Sequence, residues 1–184
     1  NSDATYSVAW IDCLSKGKSL GRSVIMLGEH AEQGGLNIDI RQKVSVPFST
    51  PSALLNTLTM KAFNTAYWHK SKNNESQTVT LMPYFYPLDA IGEWNRLYGK
   101  KGFVQFQCVV PKLDGVANMR KLLTEISSSG EGSFLAVLKQ FGNANQNLLS
   151  FPTEGYTLAL DFKISESAIK TVSKLEDMVV DMGG

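Results

Sequence analysis

The sequence predicts an α+β fold in which an antiparallel sheet carries helices on one face. Three observations lead to this prediction: two β-rich runs near the start, a strand–helix–strand–strand–helix order in the second half, and two amphipathic helical stripes that need one common surface to cover. The βαββα order corresponds to a ferredoxin-like core without its last strand. We therefore expect a single domain over residues 1–184 that is truncated at its C-terminus.

The first predicted element is a hairpin. Tyr6 to Asp12 and Ser19 to Leu27 are rich in β-branched and aromatic residues, and a turn sequence at residues 15–18 joins them. Residues 32–76 follow with little periodicity. A long segment without regular structure is usually functional or mobile, so we expect a lid here.

The remaining elements follow from changes in apolar period. Alternation predicts strands at Gln77 to Met82, Gly102 to Val110, Phe134 to Leu138 and Gly155 to Phe162, and a turn of helix is expected at Ile91 to Tyr98. Helical stripes run from Val116 to Ile126 and from Ile169 to Val179, with Asp114 and Ser165 as the expected N-caps. The stretch Asp181-Met182-Gly183-Gly184 is typical of a helix C-terminus.

Composition excludes several classes of protein. The 184 residues are 43% hydrophobic and 19% charged, which is ordinary for a globular domain. A net charge of +1 gives no electrostatic footprint for nucleic acid. Cys13 and Cys108 lie far apart with no CxxC pair, which favours a reducing compartment over a disulfide framework. No apolar run is long enough for a transmembrane helix.

The common motifs of enzymes are absent. No GxGxxG or GxxxxGK[ST] pattern follows a strand, so the chain has no nucleotide site of its own. His30 and His69 lack a second ligand at helical spacing, so we expect no metal. Ser150 lacks the flanking glycines of a nucleophile elbow.

Two amides share one face of a predicted strand. Gln105 and Gln107 are two residues apart and therefore project to the same side. They either lie on an exposed sheet face or line a pocket for a hydroxylated ligand. In the second case, a buried amide left without a partner would cost about 1–3 kcal/mol.

Other candidates also have two interpretations. Lys139 ends an aliphatic strand, where it can simply extend into solvent or can hold negative charge in a site. Thr157 and Ala159 share a strand face and are small enough to leave room for a ligand. Trp10 and the pair Phe85 and Tyr86 are either core aromatics or pocket walls.

Several longer stretches are too particular to be generic core. They are Trp10-Ile11-Asp12, Gly21-Arg22-Ser23, the run from Phe85 to Gly99 that contains Gly92-Glu93-Trp94-Asn95-Arg96, the run from Gly102 to Pro111, Lys139-Gln140-Phe141-Gly142, and Leu149-Ser150-Phe151-Pro152. Together they resemble the substrate-side domain of FAD-linked oxidoreductases of the vanillyl-alcohol oxidase superfamily. The resemblance covers nearly the whole chain but includes none of that family's FAD-binding half.

The resemblance implies a substrate-binding domain for oxidation of a secondary hydroxyl on a sugar or a polyprenyl-phosphate sugar. It implies Lys139 as the catalytic residue. FAD would be bound mainly by another domain of the same parent chain, and a short-chain reductase is an implied partner. The implied substrate-binding residues are Trp10, Phe85, Tyr86, Gln105, Gln107, Phe141, Thr157 and Ala159.

The chain departs from the family at three points. Thr157 and Ala159 stand where some members carry Asn and Cys, and Tyr84-Phe85-Tyr86-Pro87 stands where many carry Phe-Tyr-His-Pro. These departures leave the identity of the substrate open.

Two other functions fit the sequence. One is an aldonolactone or alditol oxidase that acts on a small polyol; it would need a polar groove near residues 53–68, whereas a polyprenyl substrate would need an apolar one. The other is a non-enzymatic ferredoxin-like ligand-binding module. For the enzyme, we expect a cytoplasmic location with membrane association through a lipid substrate, and we expect the isolated chain to bind no FAD tightly.

Overall fold

The fold is that of a computed structural model, which describes residues 4–35, 38, 44–51, 54–71, 76–86, 88, 89, 91–133 and 135–184. The predicted α+β class is confirmed, because one sheet of five strands in the order β2-β1-β6-β7-β5 organises the described chain. Every neighbouring pair in this sheet is antiparallel. Its strands are β1 (Tyr6–Ile11), β2 (Ser23–Gly28), β5 (Phe103–Pro111), β6 (Ala136–Phe141) and β7 (Gly155–Lys163).

Four α-helices and a small second sheet complete the described elements. The helices are α1 (Thr57–Ser71), α2 (Leu81–Phe85), α3 (Gly115–Ser129) and α4 (Glu166–Asp181). The second sheet pairs β3 (Val44–Ser45) with β4 (Ile91–Gly92) in parallel. Short 3-10 helices occupy Gly17–Ser19 and Trp94–Tyr98.

The core lies between one face of the sheet and helices α3 and α4. Leu158, Leu160 and Phe162 of β7 are fully buried there, as are Leu122 of α3 and Leu175 of α4. Burying each such side chain stabilises the fold by about 1.5–3 kcal/mol. The two predicted helical stripes therefore cover this face, except that their first members, Val116 and Ile169, are exposed.

The termini of these two helices differ from each other. The Ser165 hydroxyl accepts a hydrogen bond from the Ala168 N–H at 2.9 Å, so the predicted cap of α4 is confirmed. Gly183 ends α4 in the left-handed region with φ 76°. Asp114 precedes α3 as predicted, but its backbone is left-handed with φ 56° instead of extended, and its side chain makes no cap hydrogen bond. The prediction that Asp114 caps α3 is wrong.

Two predictions about the middle of the chain are also wrong. Gln77 to Met82 is not a strand: residues 76–80 are irregular and α2 begins at Leu81, with Pro83 in its first turn, where a missing N–H does no harm. Residues 32–76 do not lack regular structure throughout, because α1 spans 15 of them. Asn56 caps α1 by accepting from the N–H groups of Leu58 and Thr59 at 2.9 and 3.1 Å.

One predicted strand has other bounds than expected, and one predicted helical turn has another structure. The strand expected at Phe134 to Leu138 is β6, which starts at Ala136 and continues to Phe141; Phe134 lies outside the described residues. The expected helical turn at Ile91 to Tyr98 is divided between β4 and a 3-10 helix. That residues 32–76 act as a mobile lid stays a prediction.

Candidate functional site

The face of the sheet opposite α3 and α4 carries most of the candidate residues. Trp10 pairs with Val137, Val137 pairs with Ala159, and Ala159 pairs with Gln107. Residues directly opposite one another across a sheet point to the same side. These four residues therefore form one row across four strands.

Two flanking rows complete the site face. In one row Lys139 pairs with Thr157, and in the other Gln105 pairs with Asp161. The alternation of side chains along each strand puts both rows on the same side as Trp10. The prediction that these residues share one sheet face, with the two helical stripes on the other, is confirmed.

One half of the site face is covered. Helices α1 and α2 lie over strands β1, β2 and β6 and enclose a groove of about 630 Å³. Phe63 and Tyr67 of α1 stack at 6.1 Å between ring centroids, and Tyr67 also contacts Trp10 at 4.7 Å. The groove is lined by Val8, Trp10, Met26, Leu54, Leu55, Thr59, Met60, Phe63, Tyr67, Tyr84, Phe85, Leu88, Ile91, Trp94, Leu97, Leu135, Val137 and Lys139.

Lys139 is the one charged residue among the described side chains that line this groove. It lies on β6, the middle strand of the sheet, between the covered half and the half formed by β7 and β5. An ammonium at the edge of an apolar groove offers a point charge to an anionic group whose remainder is apolar.

The other half of the site face is open. Gln105 and Gln107 of β5 are exposed, whereas Thr157 of β7 is buried beneath them. The Gln107 amide nitrogen donates to the Thr157 hydroxyl oxygen at 3.3 Å, and the Gln105 amide nitrogen donates to the Asp161 carboxylate at 2.9 Å. This half is therefore polar and presents hydrogen-bonding groups outward.

Tyr86 and Phe141 are predicted site residues that belong neither to the groove lining nor to the polar rows described above. Tyr86 is about half exposed and does not line the groove, although its neighbour Phe85 does and contacts Tyr6 edge-on at 5.0 Å. Phe141 ends β6 and packs against Phe151 at 6.2 Å. Neither residue is among the described side chains that line the groove, although Tyr86 lies 6.5 Å from Phe85 between ring centroids.

A buried carboxylate joins α1 to the sheet. Asp12, which follows β1, accepts hydrogen bonds from the Asn64 amide at 2.9 Å, from the Ser15 hydroxyl at 2.7 Å and from the Leu14 N–H at 3.1 Å. The Arg22 guanidinium pairs with the same carboxylate at 2.5 Å. Asn64 is the buried residue of α1, so this contact fixes where the roof of the groove lies.

The charge state of Asp12 follows from this arrangement. Burial alone would raise the pKa of Asp12, but hydrogen bonds from Ser15, Arg22, Asn64 and the Leu14 N–H together hold the pKa below its ordinary value. A folded-state pKa below the unfolded one stabilises the fold at any pH above the unfolded pKa. This stabilisation is lost as the pH falls through the folded pKa.

The cysteines and histidines are not among the described side chains that line the groove. Cys13 and Cys108 are free and buried, and burial raises their pKa values to about 12 and about 11, so both remain protonated thiols at neutral pH. Within the described ranges no group of acidic, histidine or cysteine side chains could hold a metal ion. None of the described helices is long and apolar enough to span a bilayer.

Comparison with known proteins gives a clear relative. The chain is 36% identical over 189 residues to decaprenylphosphoryl-beta-D-ribose oxidase of Mycolicibacterium smegmatis, a match that covers 98% of the chain and 41% of that protein. An uncharacterized protein of Streptomyces coelicolor is 23% identical over 196 residues, which cover 98% of the chain and 53% of that protein. No protein-family profile matches the chain.

The chain is homologous to one segment of this oxidase. The predicted resemblance to the FAD-linked oxidases is thereby confirmed. The chain spans about two fifths of the length of the oxidase and about half of the second relative.

Sequence reasoning missed the residues that hold the site together. Asp12 and Arg22 lie in the two quoted motifs of the hairpin, but no role follows from their spacing alone. Asn64 lies 52 residues after Asp12 in the sequence, and a single amide in a helix without a clear apolar period gives no signal of burial. The Asn56 cap, three residues before Thr59, was the available sign that a helix starts at Thr57.

The buried contact between Asn64 and Asp12 should determine how stably α1 packs on the sheet. Replacing Asn64 with Ala should lower the local free energy of opening of α1 by about 1.5–3 kcal/mol, because a hydrogen bond to a buried carboxylate is lost. Amide hydrogen exchange should show faster exchange in α1 and unchanged exchange in α3. Lys61→Ala is the matched control, since Lys61 is an exposed residue of the same helix, three residues before Asn64; equal effects of the two substitutions would contradict the role of Asn64.

Proposed function

We propose that this chain is the substrate-binding part of an FAD-dependent oxidoreductase that oxidises a secondary hydroxyl of a sugar carried on a lipid phosphate. Two observations support the proposal. The homologous segment belongs to an oxidase whose name specifies a decaprenyl-phosphate-linked ribose. The site face is divided into an apolar covered half and a polar open half, as an amphipathic substrate requires.

The apolar groove is the observation that favours a lipid-linked sugar over a small polyol as the substrate class. A volume of about 630 Å³ is within the usual size of a small-molecule site. Aromatic and aliphatic side chains dominate its lining, and burial of a hydrocarbon chain there is favourable by about 25 cal/mol per Å² of apolar surface. A small polyol would leave most of this lining without a matching contact, so the groove favours the lipid-linked sugar over the aldonolactone or alditol alternative.

The polar half suits the other end of such a substrate. Lys139 at the junction can hold the phosphate or negative charge that develops during oxidation, while Gln105 and Gln107 can bind sugar hydroxyls. Trp10 and Phe85 at the groove exclude water from the apolar end. Together these residues orient the C–H bond that bears the reacting hydroxyl.

The residues present fit the edge of a flavin site better than a complete one. The sequence has no phosphate-binding glycine motif, but the open polar half leaves one side of Lys139 and the two amides accessible to another domain. When bound, FAD would supply the two-electron acceptor for the hydride. The proposed partners are therefore an FAD-binding domain of the same parent chain and a short-chain reductase that receives the ketone, with membrane association through the lipid.

Substrate preference in the full-length protein tests this proposal. We expect oxidation of a prenylphosphoryl ribose with a shortened lipid and much slower oxidation of a free polyol such as ribitol. Phe63→Gln should raise KM for the lipid-linked sugar about ten- to a hundredfold, because burial of one Phe side chain contributes about 1.5–3 kcal/mol.

The control for that experiment is on the same helix. Leu58 of α1 is 76% exposed and does not line the groove, so Leu58→Gln should leave KM unchanged. Faster turnover of ribitol than of the lipid-linked sugar, or the same KM in Phe63→Gln and wild type, would contradict the proposed substrate class.

A separate prediction concerns the effect of Lys139 on the rate of flavin reduction. Lys139→Met keeps the apolar stem but removes the charge, so flavin bleaching by saturating substrate in rapid mixing should slow about 10²–10³-fold. Lys112, which pairs with Glu154 at 3.0 Å away from the groove, provides the control substitution Lys112→Met. An unchanged bleaching rate in Lys139→Met would mean that this lysine only extends into solvent.

A further inference from the structure

Asp161 is a buried acid without an assigned role. It lies on the site face of β7, directly opposite Gln105 of β5, and its side chain is 1% exposed. One carboxylate oxygen accepts from the Gln105 amide nitrogen at 2.9 Å. An exposed glutamine is thus tied to a buried carboxylate on the neighbouring strand.

The chemistry of the two groups sets the direction of the Gln105 amide. An ionised carboxylate only accepts hydrogen bonds, so it can take the NH₂ of a glutamine but not its carbonyl oxygen. Because the amide is planar, holding its nitrogen toward Asp161 turns its oxygen away from Asp161. Gln107 differs, since its partner Thr157 has a hydroxyl that can either donate or accept.

We propose that Asp161 is a positioning residue that fixes the Gln105 amide so that its carbonyl oxygen faces the open half of the site and accepts a hydrogen bond from a ligand hydroxyl. The inference rests on the proposed function, because a substrate hydroxyl is the donor that this oxygen would meet. Such an acceptor selects a hydroxyl over a carbonyl at the same position of the ligand, since a carbonyl has no hydrogen to donate.

The polar groups around Asp161 show which hydrogen bonds its carboxylate can make. The Gln105 amide and the Tyr98 hydroxyl face the Asp161 side chain. The Ser133 hydroxyl accepts a hydrogen bond from the Asp161 backbone N–H at 3.3 Å. Lys163 is two residues further along β7, on the same face of the strand. Burial raises the pKa of Asp161, against the lowering effect of Gln105 and Tyr98. Among the described residues, the Gln105 amide donates to one oxygen of this carboxylate at 2.9 Å, and the Tyr98 hydroxyl is the second polar neighbour of the Asp161 side chain.

Nuclear magnetic resonance of the side-chain NH₂ groups tests the positioning in the chain itself, at pH 8. The Gln105 NH₂ signal should be shifted from that of a free amide, and Asp161→Leu should return it to the free position while the Gln107 signal stays unchanged. Thr157→Val, the matched control, should move the Gln107 signal and leave Gln105 unchanged. A Gln105 signal that is free in wild type, or that is unaffected in folded Asp161→Leu, would overturn the proposal.

A second measurement needs no substitution, in case Asp161→Leu does not fold. Lowering the pH of the wild-type sample protonates Asp161, which can then donate to the amide oxygen instead of only accepting. The Gln105 NH₂ signal should therefore titrate above the ordinary Asp pKa, whereas the Gln107 signal should not follow the same curve. Absence of that titration in Gln105 would also overturn the proposal.

Activity of the full-length protein tests the hydroxyl contact. With the prenylphosphoryl ribose as probe, Asp161→Leu should raise KM about tenfold, the ratio that corresponds to one hydrogen bond, with little change in kcat. An unchanged KM would refute the contact to a ligand hydroxyl. If wild type does not oxidise the probe, the proposed function fails, and the resonance measurements still decide whether Asp161 positions Gln105.

Discussion

The buried contact between Asp12 and Asn64 is the constraint on which the rest of the site depends. A carboxylate in the interior is costly unless hydrogen bonds replace its water, and here Ser15, Arg22 and Asn64 supply them. Two of these partners belong to the N-terminal hairpin, and the third is the buried residue of α1. The need to satisfy one charge therefore holds a helix of few apolar core contacts over one half of the sheet.

The position of α1 divides the site face by chemistry. Under the helix, the sheet carries Val8, Trp10 and Val137, and the helix adds aromatic rings, so the lining is mainly apolar. Beyond the helix, β5 carries two exposed amides, which donate to a buried hydroxyl and a buried carboxylate of β7. Lys139 stands between the two halves. A substrate with a hydrocarbon chain, a phosphate and a sugar matches this order across the sheet, which is the physical basis of the proposed function.

The parts of the fold that sequence patterns predicted are those with strong local period. Two-residue alternation placed Gln105, Gln107, Lys139 and Trp10 on one face, and helical stripes placed α3 and α4 on the other. Alternation misled at Gln77 to Met82, because residues 76–80 pair with no strand in the part of the chain that the structure describes, and α2 begins at Leu81. Helix α1 was missed because Met60 and Phe63 face the groove, Leu58 faces solvent, and the residue that anchors the helix is polar.

The most direct test of the divided site face is a crystal structure of the full-length protein with a bound prenylphosphoryl ribose. We expect the lipid to lie between α1 and β1, the phosphate to lie near Lys139, and a sugar hydroxyl to lie within hydrogen-bonding distance of Gln105 or Gln107. A lipid bound outside the groove, or a sugar on the face that α3 and α4 cover, would contradict it.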